Sequence, residues 1–280
     1  MIKLLKKGVI LIVVRLIVSI MKVKSKKVSI ITVVYNNVKY IETAIKSVLS
    51  QSYENIEYIV IDGGSTDGTV QIIESYLKDI TIFVSKSDSG IYDALNKGVA
   101  QASGDVIAIL HSDDEFFDED VVSDIIRHMK RAKSEFCFSD MVIVDNSSGR
   151  VLRYYMAHYF KKWMFRIGWM PPHPTCFINK SLFDEFGVYS TKYKIAGDFD
   201  LLVRFFYGRK IRWAYLDRIS IKMSEGGVSN SGWRSKRLII DEINRSLQSN
   251  GIWSLSIFQF ARYLIRLVEI LVKPKKNNCD

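Results

Sequence analysis

The stretch VIAILHSDD, residues 106–114, decides the fold prediction for this chain. Its apolar first half predicts a buried strand, which ends abruptly in His111, Asp113 and Asp114. In open α/β folds, ligands bind beyond the carboxyl ends of the strands, and carboxylate oxygens there suit a divalent metal. The alternative is that the two aspartates cap a helix predicted over residues 118–131. The stretch therefore predicts either a metal and phosphate site or a helix start.

Strands and helices alternate on the N-terminal side of this stretch. In chain order the sequence predicts a strand at 28–34, a helix at 40–49, a strand at 56–61, a helix carrying Val70 to Leu77, a strand at 81–84 and a helix at 91–102. This alternation predicts an α/β fold with a mostly parallel, Rossmann-like sheet flanked by helices. No GxGxxG motif follows the first strand, which argues against a dinucleotide cofactor.

Polar side chains follow each predicted strand. They are Tyr35 and Asn36 after the first, Asp62 after the second, Asp88 after the third, and Asp113 with Asp114 after the fourth. Because the carboxyl ends of parallel strands share one edge of the sheet, we expect these side chains to face one crevice that binds a nucleotide. For residues 62–68, DGGSTDG, an ordinary turn is the alternative, since these residue types are common in turns.

The composition describes a globular protein with excess positive charge. The 280 residues are 48% hydrophobic, and 40 Lys and Arg against 30 Asp and Glu give a formal net charge of +10. This charge favours anionic partners, but no nucleic-acid-binding motif accompanies it, so nucleic acid is not an expected partner. Cys137, Cys176 and Cys279 are odd in number and lie in no CxxC or Cys/His cluster, which argues against a disulfide framework and a zinc site and indicates a reducing compartment.

Both ends of the chain combine apolar runs with lysines. Residues 1–26 carry an apolar run that is short for a spanning helix and has basic flanks, so we expect an interfacial segment. Residues 252–272 show a wide apolar face beside a narrow polar stripe of Gln259, Arg262, Arg266 and Glu269. An anionic membrane surface is therefore an expected partner, and a helix packed on the domain is the alternative. The expected location is peripheral, on the cytoplasmic face of the cell membrane.

Four segments resemble the family 2 glycosyltransferases of GT-A fold. They are SIITVVYNN at 29–37, QSYENIEYIVIDGGSTDGT at 51–69, SDSGIYDALNKGVAQASGDVIAILHSDD at 87–114 and GDFDLLVRF at 197–205. The resemblance covers roughly residues 27–230. It implies a GT-A catalytic domain at 27–232, with a donor-nucleotide half at 27–114 and an acceptor half at 115–232, followed by C-terminal helices at 233–280.

The resemblance implies transfer of a sugar, with inversion, from a nucleoside-diphosphate sugar through Mn²⁺ or Mg²⁺. A metal held by Asp113 and Asp114 would stabilise the charge that develops on the diphosphate leaving group. Tyr35 is expected to stack on the base, and the mid-helix Asn96 to make a buried polar contact beside the donor rather than to be solvated. The expected donor-binding residues are Tyr35, Asn36, Asp62, Asp88, Asn96, His111 and Asp113.

Three positions depart from the common pattern of that family. His111 stands where relatives commonly have an aspartate, and we expect it to hydrogen-bond or pack, because hard cations prefer oxygen. Gly63 replaces an acidic residue that reads the nucleobase in many relatives, which leaves the base unassigned. Gly197 replaces the glutamate of the family's Glu-Asp motif.

By alignment to that motif, Asp198 is the expected general base. An ordinary carboxyl pKa near 4 would keep it ionised at neutral pH. Asp200 is expected to cap or orient the helix predicted at 199–207. His173, in PPHPTCFI at 171–178, faces the site by analogy or is a rigid loop residue.

The sequence thus predicts a metal-dependent inverting glycosyltransferase. Its acceptor would be a glycan or a polyprenyl-linked glycan in cell-surface polysaccharide biosynthesis. The alternative is a catalytically silent member that acts as a membrane-associated scaffold or nucleotide-sugar binder, because three motif positions depart from the common pattern.

Overall fold

A computed structural model describes residues 25–145, 147–225, 232–255, 258–259, 265 and 269. The strands are β1 (Val28–Val34), β2 (Ile56–Asp62), β3 (Ile82–Ser85), β4 (Val106–Ile109), β5 (Asp114–Phe116), β6 (Phe136–Val144), β7 (Val151–Tyr155), β8 (Phe177–Asn179) and β9 (Trp213–Ser224). The helices are α1 (Ile41–Leu49), α2 (Thr69–Glu74), α3 (Ile91–Gln101), α4 (Val121–Ala132), α5 (Lys180–Phe186), α6 (Gly197–Gly208) and α7 (Gly232–Ser249). Short 3₁₀ helices span Lys162–Ile167 and His173–Thr175.

The strands of the described chain form one mixed sheet in the order β3-β2-β1-β4-β8-β6-β9-β5, with β7 paired to β6. The first four strands of this order are parallel, as the alternation of strands and helices predicts. All seven residues of β1 are buried, which fits its continuous apolar and β-branched run. The predicted α/β fold is therefore confirmed, with a parallel N-terminal half of the sheet.

The second half of the sheet mixes strand directions. β8 is antiparallel to both β4 and β6, β9 is parallel to β6, and β5 is antiparallel to β9. In this last pair Asp114 lies opposite Met223. Helix α4 begins only at Val121, with Asp120 at its N-cap position. Asp113 and Asp114 therefore do not cap that helix, and the capping alternative is wrong.

Helices cover both faces of the sheet because successive strand residues point to opposite sides. Ile30 of β1 packs in the core that α1 and α4 close, whereas its neighbour Ile31 packs in the core that α3 and α6 close. Apolar spacing along α1 buries Ile41, Ala44, Ile45 and Val48 on the first face. This layering holds the carboxyl ends of β1 and β4 at one edge.

The predicted interfacial segment at 1–26 lies outside the described residues except for Ser25 and Lys26. Of the polar stripe predicted near the C-terminus, Gln259 and Glu269 are buried against the domain, and the two arginines lie outside the described residues. Gln259 donates to the carbonyl of Arg166 at 3.2 Å. These two positions agree with the alternative of a segment packed on the domain, since Glu269 also pairs with Arg153 at 3.2 Å and accepts the hydroxyl of Tyr159 at 3.3 Å. Within the described part of the chain, no helix is both long and apolar enough to span a bilayer.

Candidate active site

An open pocket of about 510 Å³ lies at the carboxyl edge of the parallel strands. The predicted site residues that line it are Tyr35, Asn36, Asp88, His111, Asp113, Asp114 and Asp198. They come from the ends of β1 and β4, from the segment before α3 and from the first turn of α6. The tertiary fold thus brings together side chains from both halves of the sequence.

Asp114 is a buried carboxylate without hydrogen bonds. It is 2% exposed, and neither Oδ1 nor Oδ2 has a hydrogen-bond partner among the described residues. Burial, and then the neighbouring Asp113, raise the pKa of Asp114 well above its ordinary value. A buried carboxylate in this state is costly unless a cation compensates it.

This chemistry fits a divalent cation. Asp113 is half-buried beside Asp114 and lines the same pocket. No group of three or more His, Cys, Asp or Glu side chains is arranged to hold a metal in the described parts of the chain. Magnesium-type sites commonly use one or two carboxylates and complete their shell with substrate phosphates and water. Asp113 and Asp114 would therefore hold a cation only together with such ligands.

Tyr35 and Asp88 build one part of the pocket. The Tyr35 side chain is 64% exposed at the end of β1. Asp88 accepts the N–H of Gly90 through Oδ1 at 2.8 Å, and its Oδ2 lies where a Cβ at Gly63 would sit. The same Cβ would lie 3.4 Å from Cδ2 of Tyr35. The Asp88 carboxylate thus takes the space that a side chain at position 63 would fill.

Asn36 orders the loop beside this part of the pocket. Its backbone is left-handed, with φ of 48°. Its N–H donates to Oγ of Ser65 at 2.7 Å, and its side-chain oxygen accepts the N–H of Thr66 at 2.8 Å. These bonds tie the end of β1 to the loop that follows β2.

Two predicted donor contacts are not supported by where the side chains lie. Asp62 is fully buried and accepts hydrogen bonds from the N–H groups of Gly64 and Ser65 and from the hydroxyl of Ser85. Because these hydrogen bonds occupy the carboxylate of Asp62, the alternative of an ordinary turn describes this residue better than a donor contact does. The side-chain amide of Asn96 donates to the carbonyl of Tyr189 at 2.8 Å, and its side-chain oxygen accepts the N–H of Tyr189 at 2.9 Å. Neither Asp62 nor Asn96 lines the pocket.

His111 and His173 meet in the pocket wall, with ring centroids 6.4 Å apart. Burial lowers the pKa of His111, and the charge of Asp113 partly opposes this. Burial, followed by the neighbouring His111, lowers the pKa of His173 to about 3. Nε2 of His173 lies 2.9 Å from the hydroxyl of Tyr189. Both rings are therefore neutral near pH 7, which suits packing and hydrogen bonding.

Asp198 occupies the second position of α6 and faces the pocket. One carboxylate oxygen accepts the N–H of Phe199 at 2.8 Å and lies 3.4 Å from the hydroxyl of Tyr92. Burial raises the pKa of Asp198 to about 6 despite these bonds. The expectation of an ordinary carboxyl pKa is therefore wrong, because the group is desolvated at the helix start.

Asp200 has a structural role, as expected. It is buried, accepts from Nε of Arg204 at 2.9 Å and from the hydroxyl of Ser246 at 3.0 Å, and does not line the pocket. The Arg204 contact lies within α6, and the Ser246 bond joins α6 to α7.

Sequence reasoning missed three residues near Asp198. Tyr92 and Lys194 line the pocket, and the buried Glu242 on α7 accepts backbone N–H groups just before α6. The glycine at 197 was a signal for Tyr92, because a glycine beside a site often marks a close approach. Nothing in the sequence around Glu242 distinguishes it from other helix-surface glutamates.

Comparison with known proteins is consistent with this geometry. Residues 29–187 match the family model described as Glycosyl transferase family 2. An uncharacterised glycosyltransferase of Mycobacterium tuberculosis is 34% identical over 186 residues, which are 63% of this chain and 68% of the relative. A PGL/p-HBAD biosynthesis glycosyltransferase of Mycobacterium bovis is 25% identical over 208 residues, with coverage of 72% and 79%.

Solved structures share the GT-A-like fold. TarS 1–349 of S. aureus, in complex with UDP-GlcNAc, matches with a TM-score of 0.60 and 21% identity, over 77% of this chain and 66% of that one. The mannosyltransferase PcManGT of Pyrobaculum calidifontis, in complex with GDP-Man and Mn²⁺, matches with a TM-score of 0.61 and 17% identity, over 89% and 70%. From the family match and the relatives, this chain belongs to glycosyl transferase family 2 and is a glycosyltransferase.

Proposed function

We propose that this protein transfers a sugar, with inversion, from a nucleoside-diphosphate sugar to a glycan or polyprenyl-linked acceptor in cell-surface polysaccharide biosynthesis. The observation that carries the proposal is that one pocket holds the buried carboxylate of Asp114, suited to a cation and a diphosphate, together with the carboxylate of Asp198, suited to accept a proton. In one displacement reaction, Asp114 would act at the leaving diphosphate and Asp198 at the attacking hydroxyl.

In the proposed reaction, the acceptor hydroxyl oxygen bonds to the anomeric carbon as the bond from that carbon to the diphosphate oxygen breaks. The diphosphate leaves with the electron pair, and the hydroxyl proton passes to a carboxylate oxygen of Asp198. With its pKa raised to about 6, Asp198 is ionised at neutral pH and is a stronger base than an exposed aspartate.

Asp113 and Asp114 would hold the divalent cation. Bound Mn²⁺ or Mg²⁺ supplies positive charge that compensates the leaving diphosphate. Pairing of β5 with β9 fixes the backbone of Asp114 opposite Met223, so its carboxylate is held without side-chain hydrogen bonds. A ligand fixed by a strand keeps its geometry better than one on a free loop.

The donor nucleotide would bind in the same pocket, between the end of β1 and the segment before α3. Tyr35 would stack on the base, and Oδ2 of Asp88, beside Gly63, would accept a base N–H. This arrangement is compatible with the loss of an acidic side chain at position 63, because the carboxylate of Asp88 occupies that space.

An anionic membrane on the cytoplasmic face is the proposed location of the acceptor. Exposed tryptophans and basic residues are typical of headgroup contacts. Ser254 and Gln259 both donate to the carbonyl of Arg166, at 2.6 and 3.2 Å, so the C-terminal segment lies against the first 3₁₀ helix. The exposed residues on these two elements are Lys161, Lys162, Trp163, Arg166, Trp253, Leu255 and Phe258.

The proposal is tested with a panel of nucleotide sugars, incubated with the purified protein with and without Mn²⁺, by measuring release of nucleoside diphosphate. We expect Mn²⁺-dependent turnover of at least one donor. Asp114→Asn should abolish it, Asp198→Asn should abolish transfer but retain donor binding, and the exposed-site control Asp79→Asn should change neither. Donor binding without turnover by the unmodified protein would support the catalytically silent alternative. Absence of both binding and any metal effect would overturn the proposal.

A further inference from the structure

One buried carboxylate on α7 collects three backbone N–H groups that precede the candidate base. Glu242 is 1% exposed. Its Oε1 accepts the N–H of Lys194 at 2.8 Å, and its Oε2 accepts those of Ile195 and Ala196 at 2.9 Å each. These amides lie directly before Gly197, where α6 begins, so the helix itself offers them no acceptor. Glu242 therefore caps α6 from another helix.

The same segment is held from its other side by α3. The hydroxyl of Tyr92 donates to the carbonyl of Ile195 at 2.5 Å and lies 3.4 Å from Oδ1 of Asp198. Glu242 holds the N–H groups and Tyr92 holds the carbonyl, so the residues before Asp198 are fixed in both hydrogen-bonding directions. A carboxylate with two fixed neighbours keeps its position when the substrate changes.

We infer that Glu242 is a positioning residue that sets both the place and the charge environment of Asp198. The inference deepens the proposed function and rests on it, because it requires Asp198 to be the base. Burying a carboxylate is costly, and here three N–H donors offset that cost. They can do so because both oxygens of Glu242 accept hydrogen bonds. A glutamine would offer one acceptor oxygen and would turn an amide N–H₂ toward a backbone donor.

The charge of Glu242 also acts on Asp198. Burial is the largest cause of the raised pKa of Asp198, and the negative charge of Glu242 adds to it. Four titratable groups face Asp198 from the elements packed around it: Tyr92 of α3, Glu242 of α7, Cys176 before β8 and Tyr189 after α5. The other titratable groups in its pocket are His111, Asp113, Asp114, His173 and Lys194, together with Tyr35 and Asp88. Among them, Glu242 is the negative group that accepts N–H groups from the backbone leading to Asp198, and Arg245 of α7 faces it at 3.8 Å.

The test compares two variants that separate charge from reach. Glu242→Gln removes the charge and keeps the side-chain length. The pH at which kcat/KM declines on the acidic side should therefore fall by roughly half a unit, and kcat should fall about tenfold. Glu242→Asp keeps the charge but shortens the side chain, so kcat should fall while the pH of that decline stays in place. Donor affinity should stay within about twofold of wild type in both variants, because Glu242 does not line the pocket.

Glu57→Gln is the matched control. Glu57 is also a buried carboxylate that accepts several hydrogen bonds, including the N–H of Ser103, but it lies outside the pocket lining. This variant should leave kcat and the pH profile of kcat/KM unchanged once its folding is confirmed by thermal unfolding. The inference would be overturned if Glu242→Gln kept the wild-type kcat and the wild-type pH profile of kcat/KM. If that variant does not fold, a wild-type kcat in Glu242→Asp would overturn it. Retained transfer by Asp198→Asn would instead overturn the proposed base itself.

Discussion

The phenol ring of Tyr92 occupies the space that a side chain at position 197 would need. A Cβ atom on Gly197 would lie 2.7 Å from both Cε2 and Cζ of that ring. Position 197 is where the chain departs from the Glu-Asp pattern, and an aromatic ring from α3 fills the place of the missing side chain. The glycine is thus part of a packed arrangement that leaves Asp198 facing the pocket.

Gly197→Ala should disturb both stability and catalysis. The added methyl group forces Tyr92 to shift, which we expect to lower the free energy of unfolding by about 1–3 kcal/mol and to reduce kcat at least tenfold. Chemical denaturation and initial-rate kinetics measure the two effects. The matched control is the same change in a Tyr92→Ala background, where its stability cost should largely disappear. An equal cost in both backgrounds would contradict the packing argument.

Mn²⁺ should stabilise the protein through Asp114. Binding to the folded state alone adds about 2.7 kcal/mol at one hundred times the dissociation constant, so the melting temperature should rise with Mn²⁺. In Asp114→Asn the neutral side chain no longer needs a cation, and the rise should vanish. Thermal unfolding with and without Mn²⁺ measures this, with Asp79→Asn as the control that keeps the full rise. An undiminished rise in Asp114→Asn would place the cation elsewhere.

The pH profile of transfer should report Asp198. Because its pKa in the folded protein is about 6, the fraction ionised falls as the pH drops through 6, and kcat/KM should decline there rather than near pH 4. Donor binding is measured over the same range to separate catalysis from affinity. A limb that remains flat down to pH 5 would show that another group accepts the proton.

Tyr35 should contribute donor affinity rather than chemistry. Stacking of a base on an aromatic side chain is worth about 1–3 kcal/mol, so Tyr35→Ala should weaken donor binding by roughly five- to 150-fold. Tyr35→Phe keeps the ring and should bind donor nearly as well as wild type. Titration with the donor that is turned over measures both variants. Equal loss in the two variants would point to the hydroxyl and away from stacking.

The exposed tryptophans should carry membrane binding. Trp163 and Trp253 are 57% and 64% exposed. Replacing both by alanine should reduce co-sedimentation with anionic phospholipid vesicles several-fold, because interfacial tryptophans anchor at the headgroup level. Neutral vesicles and the variant Leu77→Ala, at an exposed apolar position elsewhere, serve as controls. Unchanged sedimentation of the double variant would remove this surface from the proposed function.

The donor half of the fold was predictable because its strands are continuous apolar runs. β1, β2 and β4 are buried on both faces, so hydrophobicity alone marks them, and the sharp change to polar residues marks where each ends. β5 is only three residues long and is defined by its pairing with β9, which no local pattern reveals. The distant strand decided that Asp114 is buried rather than a helix cap.

The sequence allowed prediction of the residue types at the site, but not of the groups to which these side chains form hydrogen bonds. Asp62 and Asn96 are polar residues in the expected places, yet Asp62 bonds the backbone of its own turn and Asn96 bonds the backbone of Tyr189, which folding brings close. The raised pKa of Asp198 and the role inferred for Glu242 depend on contacts between residues far apart in the chain. Such contacts follow from tertiary packing, which no local sequence pattern reveals.

From the segment before α6, Glu242 accepts only backbone N–H groups, and its ion pair with Arg245 lies within α7. This affects which substitutions that segment tolerates. Because Lys194 and Ile195 contribute only their N–H groups to that carboxylate, their side chains can vary without removing these hydrogen bonds, with proline as the exception. Ala196 is buried in the core, so its side chain is constrained by packing. Lys194 also lines the pocket. Under the proposed function, substitutions in this segment would change the pocket lining while the position of Asp198 stays fixed.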